Sequence, residues 1–310
     1  MGGNHGHDHG AHGDSKDLYP ERNPSSGAKF IRDITQNRLN QLMGGHYSDQ
    51  NLSSKLYIHR IDNPENVKLQ VWSAPGRSKP TFEEAMKQKF RPTKKGESFG
   101  PSWTNHWFKV SLVIPAYWQQ YERVQFEFDP GCEGLYFTPD GIPLHGITGG
   151  GGGDRRVEYI IPQSVVKKGH LDLVVETSCN SMFGAGDNIG PPNMDRYFQL
   201  GSADLVVPNI EAWALMLDFQ NIKDITDNLP GNSILQNKAL ALANEIMNTF
   251  ANGDEESIAK CRKKAEEIYG EGWEKKGDKI YEEGEKHQQV WGIGHCHIDT
   301  AWYGDIFLCY

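Results

Sequence analysis

Nowhere does this sequence hold an apolar run near the roughly 20 residues needed to cross a bilayer, so no membrane-spanning helix is expected. Basic residues never gather into a run: Lys94-Lys95, Lys167-Lys168 and Lys263-Lys264 are isolated pairs, and the net charge is −9, so nucleic acid is not an expected partner. Cysteine is scarce and odd in number, with five residues (Cys132, Cys179, Cys261, Cys296, Cys309) and no CxxC spacing. That pattern excludes a disulfide framework and reads as reduced thiols of a chain made in the cytosol. The first thirty residues lack a basic start followed by an apolar stretch, so no secretory signal is visible. Two glycine-rich stretches lack what a nucleotide site requires. Residues 149–153 are five glycines with no Gly-Lys-Ser/Thr after them, and Phe183-Gly184-Ala185-Gly186-Asp187 misses the third glycine of the dinucleotide spacing, so both are expected to be loops.

What is present is enough apolar material for a core. The 310 residues are 37% hydrophobic and 24% charged, room for two ordinary domains. Residues 1–26 are polar and expected to be disordered, with His5, His7, His9 and His12 spaced like a metal-binding tract on a solvated tail. A helix is predicted over 30–43, ended by Gly44-Gly45. From about residue 56 the period becomes two. Phe108, Val110, Leu112 and Ile114 share one face, Val124, Phe126 and Phe128 alternate with Gln125, Glu127 and Asp129, and Leu171, Leu173 and Val175 repeat the spacing. Turn clusters at Asp129-Pro130-Gly131 and Pro139-Asp140-Gly141 read as hairpins of a β-sandwich, with one short helix near 82–89. From Ile210 the period becomes helical, with Leu235, Ala239, Leu242, Ile246 and Phe250 on one face and Leu229-Pro230-Gly231 as a break. Residues 254–269 place acidic before basic residues, as a helix dipole favours, and 270–289 read as a charged linker. Val290-Trp291-Gly292-Ile293-Gly294 then reads as a short buried strand.

Directly after that strand stands His295-Cys296-His297-Ile298-Asp299-Thr300-Ala301-Trp302. Side chains two apart on an extended strand share a side, so His297 and Asp299 can reach one ion together. An imidazole nitrogen and a carboxylate oxygen both suit Zn²⁺, whose catalytic sites take about three protein ligands and keep one position open. His-x-Asp supplies two of them, and His295 on the same side can support them. On the residues alone, a structural histidine bonded to a nearby carboxylate explains the pattern equally well. Trp302 is either a core residue or a flat platform for a sugar ring.

The segment 295–302 resembles the signature that opens the catalytic domain of glycoside hydrolase family 38, in its cytosolic and fungal vacuolar branch. Upstream stretches are similar to that branch as well: Ala74-Pro75-Gly76-Arg77, the run from Phe99-Gly100-Pro101-Ser102-Trp103 through Thr104-Asn105-His106-Trp107-Phe108, Glu133-Gly134-Leu135, and Phe183-Gly184-Ala185-Gly186 with Pro191-Pro192. The resemblance runs in order from about residue 67 to 302. It implies a retaining α-mannosidase in which Zn²⁺ orients the sugar through its hydroxyls, a downstream Asp is the nucleophile and a separate carboxylic acid assists. It implies His297 and Asp299 as zinc ligands and Trp302 as the aromatic beside the mannose. Its substrates are α-mannoside oligosaccharides, its location cytoplasmic or vacuolar, and its assembly a homo-oligomer. Past Trp302 the family continues with Leu-Trp-Pro or similar, whereas this chain reads Tyr303-Gly304-Asp305 and stops at Tyr310. The codons of Trp-Tyr-Gly contain a GTAYG sequence like a fungal splice donor, so a retained intron is expected, and with it no hydrolysis by this polypeptide alone.

The expected fold is therefore multidomain: an N-terminal all-β sandwich, a helical linker, and the first strand of an α/β catalytic domain. Its expected parts are a tail at 1–26, a helical segment at 27–55, the sandwich at 56–209, helices at 210–288, and the start of the hydrolase domain at 289–310. Two other readings are open. One is a non-catalytic sandwich that binds carbohydrate or mediates assembly, using aromatics near Trp103 and Trp107, for which buried packing is the competing role. The other is a metal-buffering protein built on the histidine tail.

Overall fold

The structure, a computed structural model, describes residues 31–151, 155–180, 193–231 and 233–273. The predicted strand at 290–294 and the histidine tail lie outside them. The chain divides into two compact units, Met1–Lys264 and Ala265–Tyr310, and only the close of one helix and a turn, 265–273, are described in the second.

The first unit is built on two facing antiparallel sheets. Its strands are β1 Tyr57–Ile61, β2 Val67–Ser73, β3 Arg91–Thr93, β4 Ser98–Phe99, β5 Asn105–Val113 and β6 Gln125–Asp129, followed by β7 Glu133–Phe137, β8 Pro143–Thr148, β9 Glu158–Ile160, β10 His170–Ser178, β11 Phe198–Gln199 and β12 Ser202–Pro208. Six form one sheet in the order β3-β2-β5-β10-β7-β8, four form the other as β1-β12-β6-β9, and β11 pairs β4. The period-two reading of β5 is what puts it at the centre of the larger sheet. Leu112 lies between Val67 and Leu171, Val110 between Leu69 and Leu173, and Phe108 between Val71 and Val175, so each inward position continues across three strands. These side chains meet Phe126, Phe128, Ala203, Leu205 and Val207 of the smaller sheet, with the Phe108 and Phe128 rings edge to face at 5.1 Å. Full burial of each such side chain contributes about 1.5–3 kcal/mol, which makes this layer the main source of stability. Tyr136 enters the same layer because its hydroxyl donates to the Val157 carbonyl at 2.9 Å.

The predicted hairpin at Pro139-Asp140-Gly141 joins the paired strands β7 and β8. The one expected at Asp129-Pro130-Gly131 is instead a crossing, because β6 belongs to the smaller sheet and β7 to the larger. Asp129 fixes it: Oδ1 accepts from the Gly131 and Gly150 N–H groups at 2.9 Å each, and Oδ2 from Arg155 Nε at 3.1 Å. A Cβ on Gly149 would lie 2.7 Å from the Cys132 carbonyl and 2.8 Å from that Oδ1, so no side chain fits there.

Helix α1 spans Arg32–Met43, α2 Phe82–Met86, α3 Gln163–Lys168, α4 Ile210–Asn228, α5 Ile234–Thr249 and α6 Glu256–Tyr269. The expected helix over 30–43 is α1, which packs with α4 and α5. Leu229-Pro230-Gly231 separates two helices, α4 and α5. Gln236 closes the corner by donating from Nε2 to the last carbonyls of α4, at Thr226 (2.8 Å) and Leu229 (3.1 Å). On α5, Ala239, Leu242 and Ile246 are buried as the period predicts, whereas Leu235 in the first turn is exposed. Among the described residues no helix is long and apolar enough to cross a membrane.

Candidate functional site

The residues predicted to carry chemistry, His295, His297, Asp299 and Trp302, lie outside the described residues, as does Cys296 beside them. Among the described residues no three His, Cys, Asp or Glu side chains stand close enough to hold a metal ion. Of the aromatics proposed for sugar binding, Trp107 is only 1% exposed. It lies on the outer face of the larger sheet beneath α2, against Phe82, Phe137 and Ala85, and its indole N–H is without a partner. A residue in that setting packs and cannot offer a ring to a ligand. Trp103 is half-buried at a positive φ of 70°, where its backbone N–H donates to the Cys179 carbonyl at 2.8 Å.

Two polar constellations do form. The first covers the outer face of the smaller sheet. Gln125, Glu127 and Asp204 are buried there, although alternation alone predicted only that their neighbours Phe126, Phe128 and Leu205 face a core. Arg60, on the neighbouring edge strand, bridges Glu127 Oε2 at 2.6 Å and Asp204 Oδ2 at 2.5 Å. Lys95 binds Asp204 Oδ1 at 2.8 Å and pairs with Asp62, while Ser202 donates to Asp204 Oδ2 at 2.8 Å. Burial pushes the Asp204 carboxyl up, but bonds from Lys95, Ser202 and Arg60 outweigh it and hold the group below its ordinary value. The Arg60 guanidinium also lies 4.3 Å from the centre of the Tyr57 ring. Burial and the neighbouring Glu127 push the Tyr57 hydroxyl up to about 12. Asp204 has both oxygens engaged and stays ionised, an arrangement that locks strands together and leaves it no proton to transfer.

The second constellation gathers around sulfur. Cys132 precedes β7 and Cys179 follows β10, beside the cross-strand pair Glu133 and Ser178, and both are buried free thiols. The Cys179 N–H donates to the Thr104 carbonyl at 2.9 Å, and the neighbouring Cys132, His106 and Thr104 all favour the Cys179 anion. His106 is held in turn, with Nδ1 2.8 Å from Ser73 Oγ and Nε2 2.9 Å from Thr104 Oγ1. Cys132, set against burial and joined by His106 and Thr104, lowers the Cys179 thiol to about 5. Cys132 itself moves the opposite way, raised by Cys179 and by burial. No sequence signal marks this pair, since only strand register brings the two residues together.

Residues 63–206 match the family described as α-mannosidase, jelly roll domain, and that match covers most of the two-sheet sandwich. The chain is 34% identical to an α-mannosidase of Saccharomyces cerevisiae over 299 residues, covering 88% of this chain and 27% of the relative. It is 34% identical to α-mannosidase G of Dictyostelium discoideum over 274 residues, covering 87% of this chain and 24% of the relative. With α-mannosidase 2C1 of Mus musculus the identity is 30% over 261 residues, covering 83% and 23% respectively. The chain thus spans about a quarter of the length of these curated relatives. Strand pattern, sandwich and sequence similarity converge, and residues 63–206 belong to the jelly roll domain family of the α-mannosidases.

Proposed function

We propose that this chain is the jelly-roll part, and the opening of the catalytic part, of a retaining zinc-dependent α-mannosidase that releases mannose from α-mannosides and free oligosaccharides. The observation that carries this reading is similarity to proteins named α-mannosidase over more than four-fifths of the chain. The segment 295–302 agrees with it in chemistry. A neutral imidazole at His297 and a carboxylate at Asp299, two apart, are donors that suit Zn²⁺. When bound, the ion supplies a template for the sugar hydroxyls. His297 and Asp299 would hold it, His295 would fix their orientation, and Trp302 would lie against the apolar face of the ring. The enzyme works in the cytoplasm or vacuole as a homo-oligomer. Burial of Trp107 removes one of the two aromatics on which the non-catalytic carbohydrate-binding alternative rested.

The test measures bound zinc and hydrolysis of an aryl α-mannoside side by side in four variants of the full-length protein. His297→Ala and Asp299→Ala are expected to lose both metal and turnover. His295→Ala is expected to lose about 10–100-fold in affinity or activity, as outer contacts to a metal site typically do. Trp302→Ala keeps its zinc and binds substrate weakly. Full zinc and normal turnover in Asp299→Ala would overturn the assignment and leave His297 as a structural histidine.

A further inference from the structure

Cys132 and Cys179 are buried free thiols at neighbouring ends of paired antiparallel strands, each one residue beyond the register pair Glu133 and Ser178. Directly opposed residues on such strands have Cα atoms about 4.5–5.5 Å apart, inside the 4.4–6.8 Å that a disulfide spans. Two more groups serve the same sulfur. Thr104 accepts from the Cys179 N–H at 2.9 Å and lies 2.9 Å from His106 Nε2 through its hydroxyl, both groups favour the Cys179 anion, and the Ser73 hydroxyl holds His106 from behind. The α-mannosidase reading has no use for this cluster. Cys261, the other described thiol, differs: it is buried alone against the Ile246 carbonyl at 3.4 Å, and burial pushes it up to about 12.

We propose that Cys132 and Cys179 form a reversible redox pair, in which Cys179 is oxidised by a peroxide and Cys132 closes on it to give a disulfide between the ends of β7 and β10. The steps balance. The Cys179 thiolate attacks one peroxide oxygen, the O–O bond breaks, and sulfenic acid and hydroxide form. The Cys132 sulfur then attacks the sulfenic sulfur, its proton leaves with the hydroxyl as water, and the S–S bond closes. The couple is a two-electron oxidation that a dithiol reductant reverses. The division of roles follows from the surroundings. Cys132, His106 and Thr104 lower the Cys179 thiol and favour its anion, whereas Cys132 is raised and keeps its proton. Both sulfurs are buried, so the oxidant enters when the strand ends open, and strand ends open at far lower free energy than strand centres.

The experiment treats the full-length protein with hydrogen peroxide, blocks remaining thiols, and maps tryptic peptides with and without reductant. Peptides 124–155 and 169–196 each contain one cysteine, Cys132 and Cys179, so their crosslink is diagnostic. The expected result is that crosslink, two hydrogens lighter than the sum of its parts and lost on reduction. In Cys132→Ala a sulfenic-acid trap is expected to label Cys179. In Cys179→Ala, Cys132 is expected to stay unlabelled under the same treatment. The proposal is overturned if wild-type Cys132 and Cys179 both stay reduced while other thiols oxidise. It is also overturned if Cys179 advances to sulfinic acid with no crosslink, or if Cys132 carries the label in Cys179→Ala. Mapping of the unsubstituted protein decides the matter even where a variant folds poorly.

Discussion

The two sheets of the sandwich share one apolar layer but finish their outer faces differently. On the larger sheet, Trp107, Val174 and Phe137 lie under Ala85 and Phe82 of α2, so a second small core is added. On the smaller sheet the outer positions are Gln125, Glu127 and Asp204, buried beneath Arg60 and Lys95. Dispersion and water release hold the first face and tolerate any apolar shape that fits. The second depends on charges whose removal from water is itself unfavourable and must be offset partner by partner. The apolar face therefore contributes stability, while the charged face contributes register, since shifting β1 by one residue would separate Arg60 from both acids.

The largest effect is expected from Trp107→Ala, a loss of about 3–5 kcal/mol read from the urea midpoint. Trp107→Phe should recover most of it, because the indole N–H has no partner to lose. A loss under 1 kcal/mol for the alanine variant would show that α2 adds no core, where about 1 kcal/mol is the least expected for a buried aromatic.

Arg60→Ala comes next, at about 2 kcal/mol. That is below the 3–5 typical of a fully buried pair, since the Arg60 side chain is 36% exposed and solvent screens it. Replacing Arg60, Glu127 and Asp204 together by apolar residues of similar volume should cost less than Arg60→Ala alone. If the triple variant costs more, the charged face is a source of stability and the comparison fails.

Thr81→Ala is smaller again. Thr81 and Glu84 form a reciprocal cap at the start of α2, with Glu84 N–H donating to Thr81 Oγ1 at 3.3 Å and Thr81 N–H to Glu84 Oε2 at 2.9 Å. Its loss should cost about 1 kcal/mol in thermal or urea unfolding. It should also leave the charged face of the smaller sheet unaffected.

The last pair of tests is in pH. Burial raises Glu176, on the outer side of the larger sheet, above its ordinary range, with Asn105 and Lys79 compensating only in part. A carboxylate raised by folding favours the folded state below its unfolded value, near pH 4.3, and loses that contribution as pH rises through the folded value. Asp204 is held low, so its contribution is present above about pH 4 and disappears as pH falls through its folded value. Glu176→Gln should therefore stabilise at pH 7 and do nothing in acid, whereas Asp204→Asn should destabilise at pH 7 and flatten the acid limb. Equal slopes for both variants in stability against pH would show that the two faces do not differ electrostatically.

Much of this was legible from residue pattern. Phe108, Val110 and Leu112 announce an inward face because a strand repeats every two residues, and Ala239, Leu242 and Ile246 announce α5 in the same way. Asp129-Pro130-Gly131 misled because a tight turn uses the same residues whether the chain returns to its own sheet or passes to the other. Leu235 misled because a helix period continues into a first turn that the described residues leave exposed. The acids of the smaller sheet were illegible as buried groups, since their cover comes from Arg60 and Lys95, each far away in sequence. The thiol pair was silent for the same reason. At 295–302 the donors were legible, but two ligands do not name a site, and only likeness to a family gave them a role.

Strand β12 closes the sandwich in a further sense. It pairs with β1 on one side and β6 on the other, with Tyr57 opposite Pro208 and Phe128 opposite Ala203. Roughly 150 residues of synthesis separate Tyr57 from its partner, about eight to thirty seconds at ordinary ribosomal rates. Throughout that interval β1, and later β6 once it is made, presents an edge to which any other extended chain could add. The smaller sheet therefore cannot be completed before β12 has emerged, so its unpaired edges are an exposure in time that the finished structure no longer shows.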